Sequence, residues 1–324
     1  FPTRRSSDLS RPIRDGNGAR PIEVVIAVIH EIFDQIDFED IDAVEAIGVG
    51  IPGRVDPATG RVELAVNLDE PSIELGNLLR AQFGRPVFVE NDANAYAMAA
   101  SAYLVDRSVK HLAFVTLGTG VGSGLILNGE IFNGSKNMAG EIGHIFVHES
   151  DIRCQCGLYG CLETFVAGPA IARQARDAVE RYATTSLAQF DHPDAAIVFQ
   201  EAQAGDQAAS EIVSNVGVYL GRALQSLMMS FDLHKIIIGG GLSRAGNVLL
   251  QPILDEWQRM SDQSVMASEM LNPEILELCP HDFKAGAWGA VAIAQHRISK
   301  NELEFSKAQF DRRHTVLSDV KPNY

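Results

Sequence analysis

Three cysteines packed into CQCGLYGC, Cys154, Cys156 and Cys161, follow closely on an EIGH tetrapeptide, and this stretch constrains the chain more than any other. Three thiolates and one imidazole form the soft tetrahedral donor set that suits structural zinc. The spacing is not a double CxxC, so a metal here closes a loop rather than a finger. Gly157 and Gly160 permit the tight turns that bring three sulfurs to one point. His144 and His148 both lie close enough to supply the imidazole, and spacing alone does not choose between them. The bland alternative is a set of ordinary reduced cysteines.

The chain of 324 residues, 46% of them apolar, has material for two domains with sizeable cores. Twenty-seven basic against 42 acidic residues leave a net charge of −15, which opposes a phosphate-backbone footprint. Nucleic acid is therefore not expected as a partner of this stretch itself. Four cysteines, three of them clustered, fit a reducing compartment better than a disulfide scaffold, so the expected location is the cytoplasm. No apolar run approaches the roughly twenty residues of a membrane span, and no secretory pattern is present, so no membrane association is expected.

Residues 1–20, opening FPTRRSSDL, show no periodicity and read as a non-native or disordered leader. From Pro21, apolar residues recur at three and four, predicting an amphipathic helix to about Ile36. A strand over Ala46–Ile51, a hairpin through VDPATGRVELAV, a helix over Ile73–Phe83, a strand over Pro86–Val89 and a helix over Ala93–Tyr103 follow. Then come a strand over His111–Leu117, a glycine turn, a return strand over Gly124–Leu127 and a tight turn at Asn128-Gly129. Helices are expected over 168–182, 195–203, 207–229, 250–260 and 285–298, and a strand over Leu233–Ile238. The segments IGVGIPG and IIIGGGLS, each an apolar strand after a helix and ending in glycines, hint at two related α/β lobes. The expected division is a small lobe over 21–107 completed by the helix 285–298, a large lobe over 108–284, and an exposed tail over 299–324.

Four glycines in LGTGVGSG place backbone N–H groups where no side chain blocks a phosphate, although a plain hairpin turn looks the same. This is neither a Walker loop nor a Rossmann fingerprint. GGGLS stands at a strand exit, where open α/β folds bind ligands, or where close packing needs glycine. In VENDAN, Asp92 lies at a strand end as a helix begins. It could cap that helix, as Asn91 and Asn94 could, or act as a general base whose pKa burial raises.

Together, AGEIGH, CQCGLYGCLE, VENDAN and LGTGVGSG occur in the order found in the ROK family of bacterial sugar kinases and sugar-responsive repressors, which the chain resembles from about Ala46 to Ala294. The resemblance implies an α/β actin-like ATPase (ribonuclease H-like) fold, two lobes with a sugar in the central cleft. It also implies that His144, with Cys154, Cys156 and Cys161, holds the zinc. Asp92 is the implied base. Gly53, Asn67, Asn91, Asp92, Glu141, His144 and Glu163 are the implied sugar contacts. Gly118, Thr119, Gly120 and Gly122 are assigned to the nucleotide phosphates, with Gly239, Gly240 and Gly241 at the adenosine. The family's Asp-x-Gly-Gly-Thr hairpin does not occur in this sequence, so the first hairpin is expected to be missing and phosphorylation impaired. The leading expectation is ATP-dependent phosphorylation of a hexose, as by ROK-type glucokinases. ATP with Mg2+ is the cosubstrate and Zn2+ the structural ion, in a homodimer or homotetramer. The alternative is a sugar-responsive repressor lacking its DNA-binding domain, and a third is an inactive zinc-stabilised binding protein.

Overall fold

The computed structural model describes residues 21–36, 43–63, 72–182 and 184–300. The leader over 1–20, Asn67 and nearly all of the tail therefore lie outside the described residues. The chain divides into two compact units: the described residues up to Leu104 with those from Lys284 on, and Val105–Phe283.

In the first unit, helix α1 (Pro21–Asp34) precedes strand β1 (Ile47–Ile51). A small antiparallel sheet follows, of β2 (Arg54–Asp56), β3 (Arg61–Glu63) and β4 (Ser72–Ile73). Next come helix α2 (Leu75–Phe83), strand β5 (Val87–Asn91) and helix α3 (Asp92–Tyr103). The helix expected from Ile73 begins instead at Leu75, because Ser72 and Ile73 pair with Glu63 and Val62. β1 and β5 run parallel, with Ile51 opposite Asn91. Their apolar face packs with Ile29, Val55, Val62, Leu75 and Leu79 into one core.

The final helix, Ala285–Ser299, numbered α10 in chain order, packs on α3 and β1. Small residues on all three make the approach close. A Cβ on Gly48 would lie 1.8 Å from the Ala290 carbonyl oxygen, and one on Gly289 would lie 2.8 Å from that of Ala95. Tyr103 fastens the far end, donating its hydroxyl to Gln295 Oε1 at 2.7 Å and tilting against Trp288.

The second unit is built on a five-stranded mixed sheet of order β10-β9-β6-β7-β8. β6 (Leu112–Leu117), β7 (Val121–Leu127) and β8 (Glu130–Ile131) form an antiparallel meander. Asn128 and Gly129 both adopt positive φ, 56° and 79°, the left-handed pair a two-residue hairpin requires. Helices α4 (Glu163–Val166), α5 (Gly168–Arg181), α6 (Ala195–Gln203) and α7 (Gln207–Phe231) lead to strand β9 (Lys235–Gly239). Helices α8 (Asn247–Ser261) and α9 (Val265–Met270) precede β10 (Leu276–Leu278). β9 lies parallel between β6 and β10. Its Ile236 and Ile238 are fully buried with Leu220, Leu224 and Trp257. α9 and β10 were not expected from the sequence: one is short, and the three residues of the other alternate over too few positions to show a period.

Candidate functional site

In the second unit, the metal loop is attached to the sheet by its glycines. Gly140 has φ 93°, and its carbonyl accepts from Ser123 N at 3.0 Å and Ser123 Oγ at 2.8 Å. A Cβ on Gly140 would lie 2.0 Å from Ser123 O, and one on Gly143 would lie 2.2 Å from Val121 O. The two glycines of the GEIGH run thus let its backbone lie flat against β7. Ser123, buried at 3% exposure, was not singled out in the sequence; its signal is that it alone carries a polar side chain within VGSG.

Beyond that contact a short 3-10 turn, Ile142–His144, presents the imidazole. Gly157 and Gly160 take positive φ, 94° and 76°, and the backbone between them folds Cys154 N–H onto Leu158 O at 2.8 Å. The donor atoms of His144, Cys154, Cys156 and Cys161 then lie within 4.8 Å of one another. Cys154 Sγ is 3.5 Å from His144 Nδ1, and Cys156 Sγ is 3.6 Å from Cys161 Sγ. A tetrahedral zinc with its usual bond lengths sets sulfur to nitrogen at about 3.6 Å and sulfur to sulfur at about 3.8 Å, so the set fits that ion. Burial pushes the Cys154 thiol up, and the Cys161 thiol up to about 12. His148 stands apart from this group. Its Nδ1 meets Glu149 O at 2.6 Å, and its ring sets its edge against Phe165 and Tyr219.

With Nδ1 turned to the thiols, His144 leaves Nε2 on the other side, 4.0 Å from Glu141 Oε2. Glu163 opens α4 two residues after Cys161. Its Oε2 accepts the Val121 N–H at 2.9 Å, and its Oε1 is 3.9 Å from Cys154 Sγ.

The glycine turn is shorter than the sequence suggested. β7 begins at Val121, so Gly122 lies inside the strand opposite Thr116, and only Gly118, Thr119 and Gly120 form the turn. The antiparallel register runs on through Thr116 opposite Gly122 to Leu117 opposite Val121, although glycine in a strand interior weakens it. Gly118 N–H donates to Gly120 O at 3.0 Å, and Gly118 O accepts from Gly168 N at the start of α5 at 2.8 Å. β6 and β9 are parallel neighbours, so this turn and the exit of β9 share one edge of the sheet. Gly239 ends β9, Gly240 has φ 88°, and Gly241 opens a 3-10 turn. A Cβ on Gly240 would fall 2.3 Å from Leu117 O, whereas beside Gly118 and Gly241 there is open space. This edge is the carboxyl end of parallel strands, beside the antiparallel β7, the place where ligands meet open α/β sheets.

In the first unit, Asn91 rather than Asp92 caps α3. Asn91 Oδ1 accepts from Ala93 N at 2.9 Å and Asn94 N at 3.2 Å, and its Nδ2 donates to Gly53 O at 3.0 Å. Gly53 takes φ 115° in the turn after β1. Asp92 accepts the N–H of Ala93 at 2.9 Å, and burial raises its carboxyl above the usual aspartate range against the lowering effect of its hydrogen bonds to the Ala93 and Asp92 backbone. Glu90, which the sequence did not mark, is 3% exposed and accepts from Asn91 N and Asn94 Nδ2, each at 3.0 Å. Its signal is a carboxylate placed directly after the apolar run VFV within a strand.

The ROK family profile matches residues 17–297. The chain belongs to the ROK family. The glucokinase of Halalkalibacterium halodurans is 38% identical over 218 residues, 65% of this chain and 66% of that protein. That of Thermotoga maritima is 32% identical over 84% of this chain and 86% of its own length. The N-acetylglucosamine repressor of Shigella flexneri is 33% identical over 249 residues, 77% of this chain, which spans only 60% of it. Among solved structures, a ROK family glucokinase from Streptomyces griseus in complex with glucose and AMPPNP superposes with a TM-score of 0.70 at 28% identity, covering 83% of this chain and 86% of that one. This ROK chain has the actin-like ATPase fold.

Proposed function

We propose that the chain phosphorylates a hexose at its primary hydroxyl with ATP. The observation that carries the reading is the division of labour at α3: Asn91 satisfies the helix start, and burial raises the Asp92 carboxyl. A base with an elevated pKa takes a hydroxyl proton more readily. In the reaction the sugar oxygen gives its proton to Asp92 and forms a bond to the γ-phosphorus as the bridging P–O bond to ADP breaks. Backbone N–H groups of the Gly118–Thr119–Gly120 turn and the Thr119 hydroxyl take phosphate oxygens, and Gly239–Gly241 accommodate the adenosine. Mg2+ with the nucleotide balances the phosphate charge.

Glu141, Glu163, Asn91, Gly53 and Asn67 complete the sugar contacts in this reading. His144 donates from Nε2, its tautomer set by the use of Nδ1. Zinc held by four protein ligands has no open position, so it orders the loop and does no Lewis-acid chemistry. Names of the relatives support the kinase: glucokinases match over as much as 86% of their length. A second reading, a sugar-responsive repressor, is favoured by the repressor match at 33% identity. A coupled assay with glucose, ATP and Mg2+ tests the proposal. Turnover that Asp92→Asn abolishes supports it; sugar binding without turnover in the unaltered protein overturns it in favour of the repressor or of an inactive zinc-stabilised binding protein.

A further inference from the structure

We propose that Glu163 is a positioning residue that ties the glycine turn to the metal loop, so that metal occupancy sets how firmly the turn is held. The inference rests on the reading above only in assigning the turn to phosphates; the tie itself is a matter of contacts within one unit.

One carboxylate spans the two elements. Oε2 accepts the N–H of Val121, the first residue of β7 after the turn, and Glu163 itself stands two residues after the metal ligand Cys161. Oε1, 3.9 Å from the Cys154 sulfur, accepts a thiol hydrogen there only while no metal is bound. Gly120 is the residue next to the first contact, and a Cβ there would come within 2.7 Å of the same Oε2. Glycine at 120 therefore serves the carboxylate as much as the turn. The base of Glu163 is held at both ends. Thr164 Oγ1 donates to Cys161 O at 2.7 Å, tying α4 to a metal ligand's own carbonyl. From α5, Arg173 Nη2 donates to Thr164 O at 2.6 Å and Gln174 Nε2 to Phe165 O at 2.8 Å.

α4 is a single turn of four residues, too short to hold its position by helical bonding alone. Its N-terminal end follows directly on Cys161, and the Leu162 N–H donates to Ile145 O at 3.0 Å, so the segment carrying His144 and the residue carrying the Cys161 sulfur together set where Glu163 begins. When the loop loosens, Glu163 loses its fixed origin and the Val121 N–H loses its acceptor. The opening free energy of that amide then falls toward that of a free turn.

Amide hydrogen exchange across 117–127 reads this without reference to activity. In full-length protein carrying zinc, stripping the metal with a chelator is expected to speed exchange at Gly120–Val121 by about tenfold or more, while the centre of β6 stays protected. Glu163→Ala is expected to exchange fast at that amide with or without zinc, and Glu163→Gln, which keeps an acceptor oxygen, to restore zinc dependence. Gly120→Ala, which displaces the carboxylate without removing it, is expected to match Glu163→Ala and serves should that variant not fold. Unchanged exchange at 120–121 after stripping, with the loop over 144–161 deprotected, overturns the proposal. Titration with AMPPNP separates the two claims. If zinc dependence of exchange is seen but nucleotide affinity does not follow it, the tie stands and the phosphate assignment of the turn fails.

Discussion

Asn91 donates its side-chain amide to the carbonyl of Gly53 at 3.0 Å, joining the turn after β1 to the start of α3. With its oxygen already serving two helix N–H groups, this side chain fixes the local backbone. Asp92 beside it carries an ionisable group whose charge the surroundings disfavour.

Asp92→Asn should therefore lower turnover by about a hundredfold or more, the range for loss of a general base. It should also raise stability near neutral pH. The carboxyl is raised in the folded state, so its ionisation costs nothing while it is protonated in both states and costs progressively more as pH rises through the elevated value. Melting temperature at pH 7 is expected to rise and at pH 4 to converge with the unaltered protein. The acid limb of the kcat/KM profile should lie above the usual aspartate range.

Elemental analysis should find one zinc per chain, and Cys161→Ser should abolish it. Because burial holds the Cys154 and Cys161 thiols protonated, the latter up to about 12, binding must displace protons. Affinity measured by chelator competition should then rise from pH 6.5 to pH 8. A pH-independent affinity would contradict a thiolate site.

Two glycines should answer differently to the same change. Gly48→Ala drives a methyl into the Ala290 carbonyl and should cost about 3 kcal/mol or more, read as a fall in melting temperature. Gly118→Ala meets open space and should change stability by no more than about 0.5 kcal/mol. Under the kinase proposal, Gly118→Ala should nevertheless raise KM for ATP.

Glu256, 4% exposed on α8, is held below the usual glutamate range, first by Arg259 and then by Arg222. Its contribution is present above the unfolded-state pKa and lost as pH falls through the depressed folded value. Both arginines are about half exposed, so solvent screens the pair, and Glu256→Gln should cost about 2 kcal/mol at pH 7. Denaturant melts of the two proteins should converge as pH falls below the usual glutamate range.

Much of the fold was legible because periodicity and turn chemistry are local. The apolar spacing from Pro21 marks α1, and Asn128-Gly129 marks the turn between β7 and β8. β4, α9 and β10 were not legible, being too short to carry a period. The end of the glycine turn was misplaced because glycine reads as turn along the chain, while the pairing of Gly122 with Thr116 depends on a partner strand that local composition does not show. Among site residues, the metal-ligating types were visible from their density, but Ser123 and Glu90 were not, since a lone polar residue in an apolar strand shows its role only through its partners.

By itself, the sequence determined which side chains could cooperate: EIGH with three cysteines, an acidic strand end, and glycines at two strand exits. The tertiary structure alone decided that Asn91 donates to Gly53, that Nδ1 rather than Nε2 of His144 meets the Cys154 sulfur, and that Glu163 reaches Val121. The physical reason is that residue type and local spacing set what a group can bond, whereas its actual partner depends on backbone brought close from distant parts of the chain.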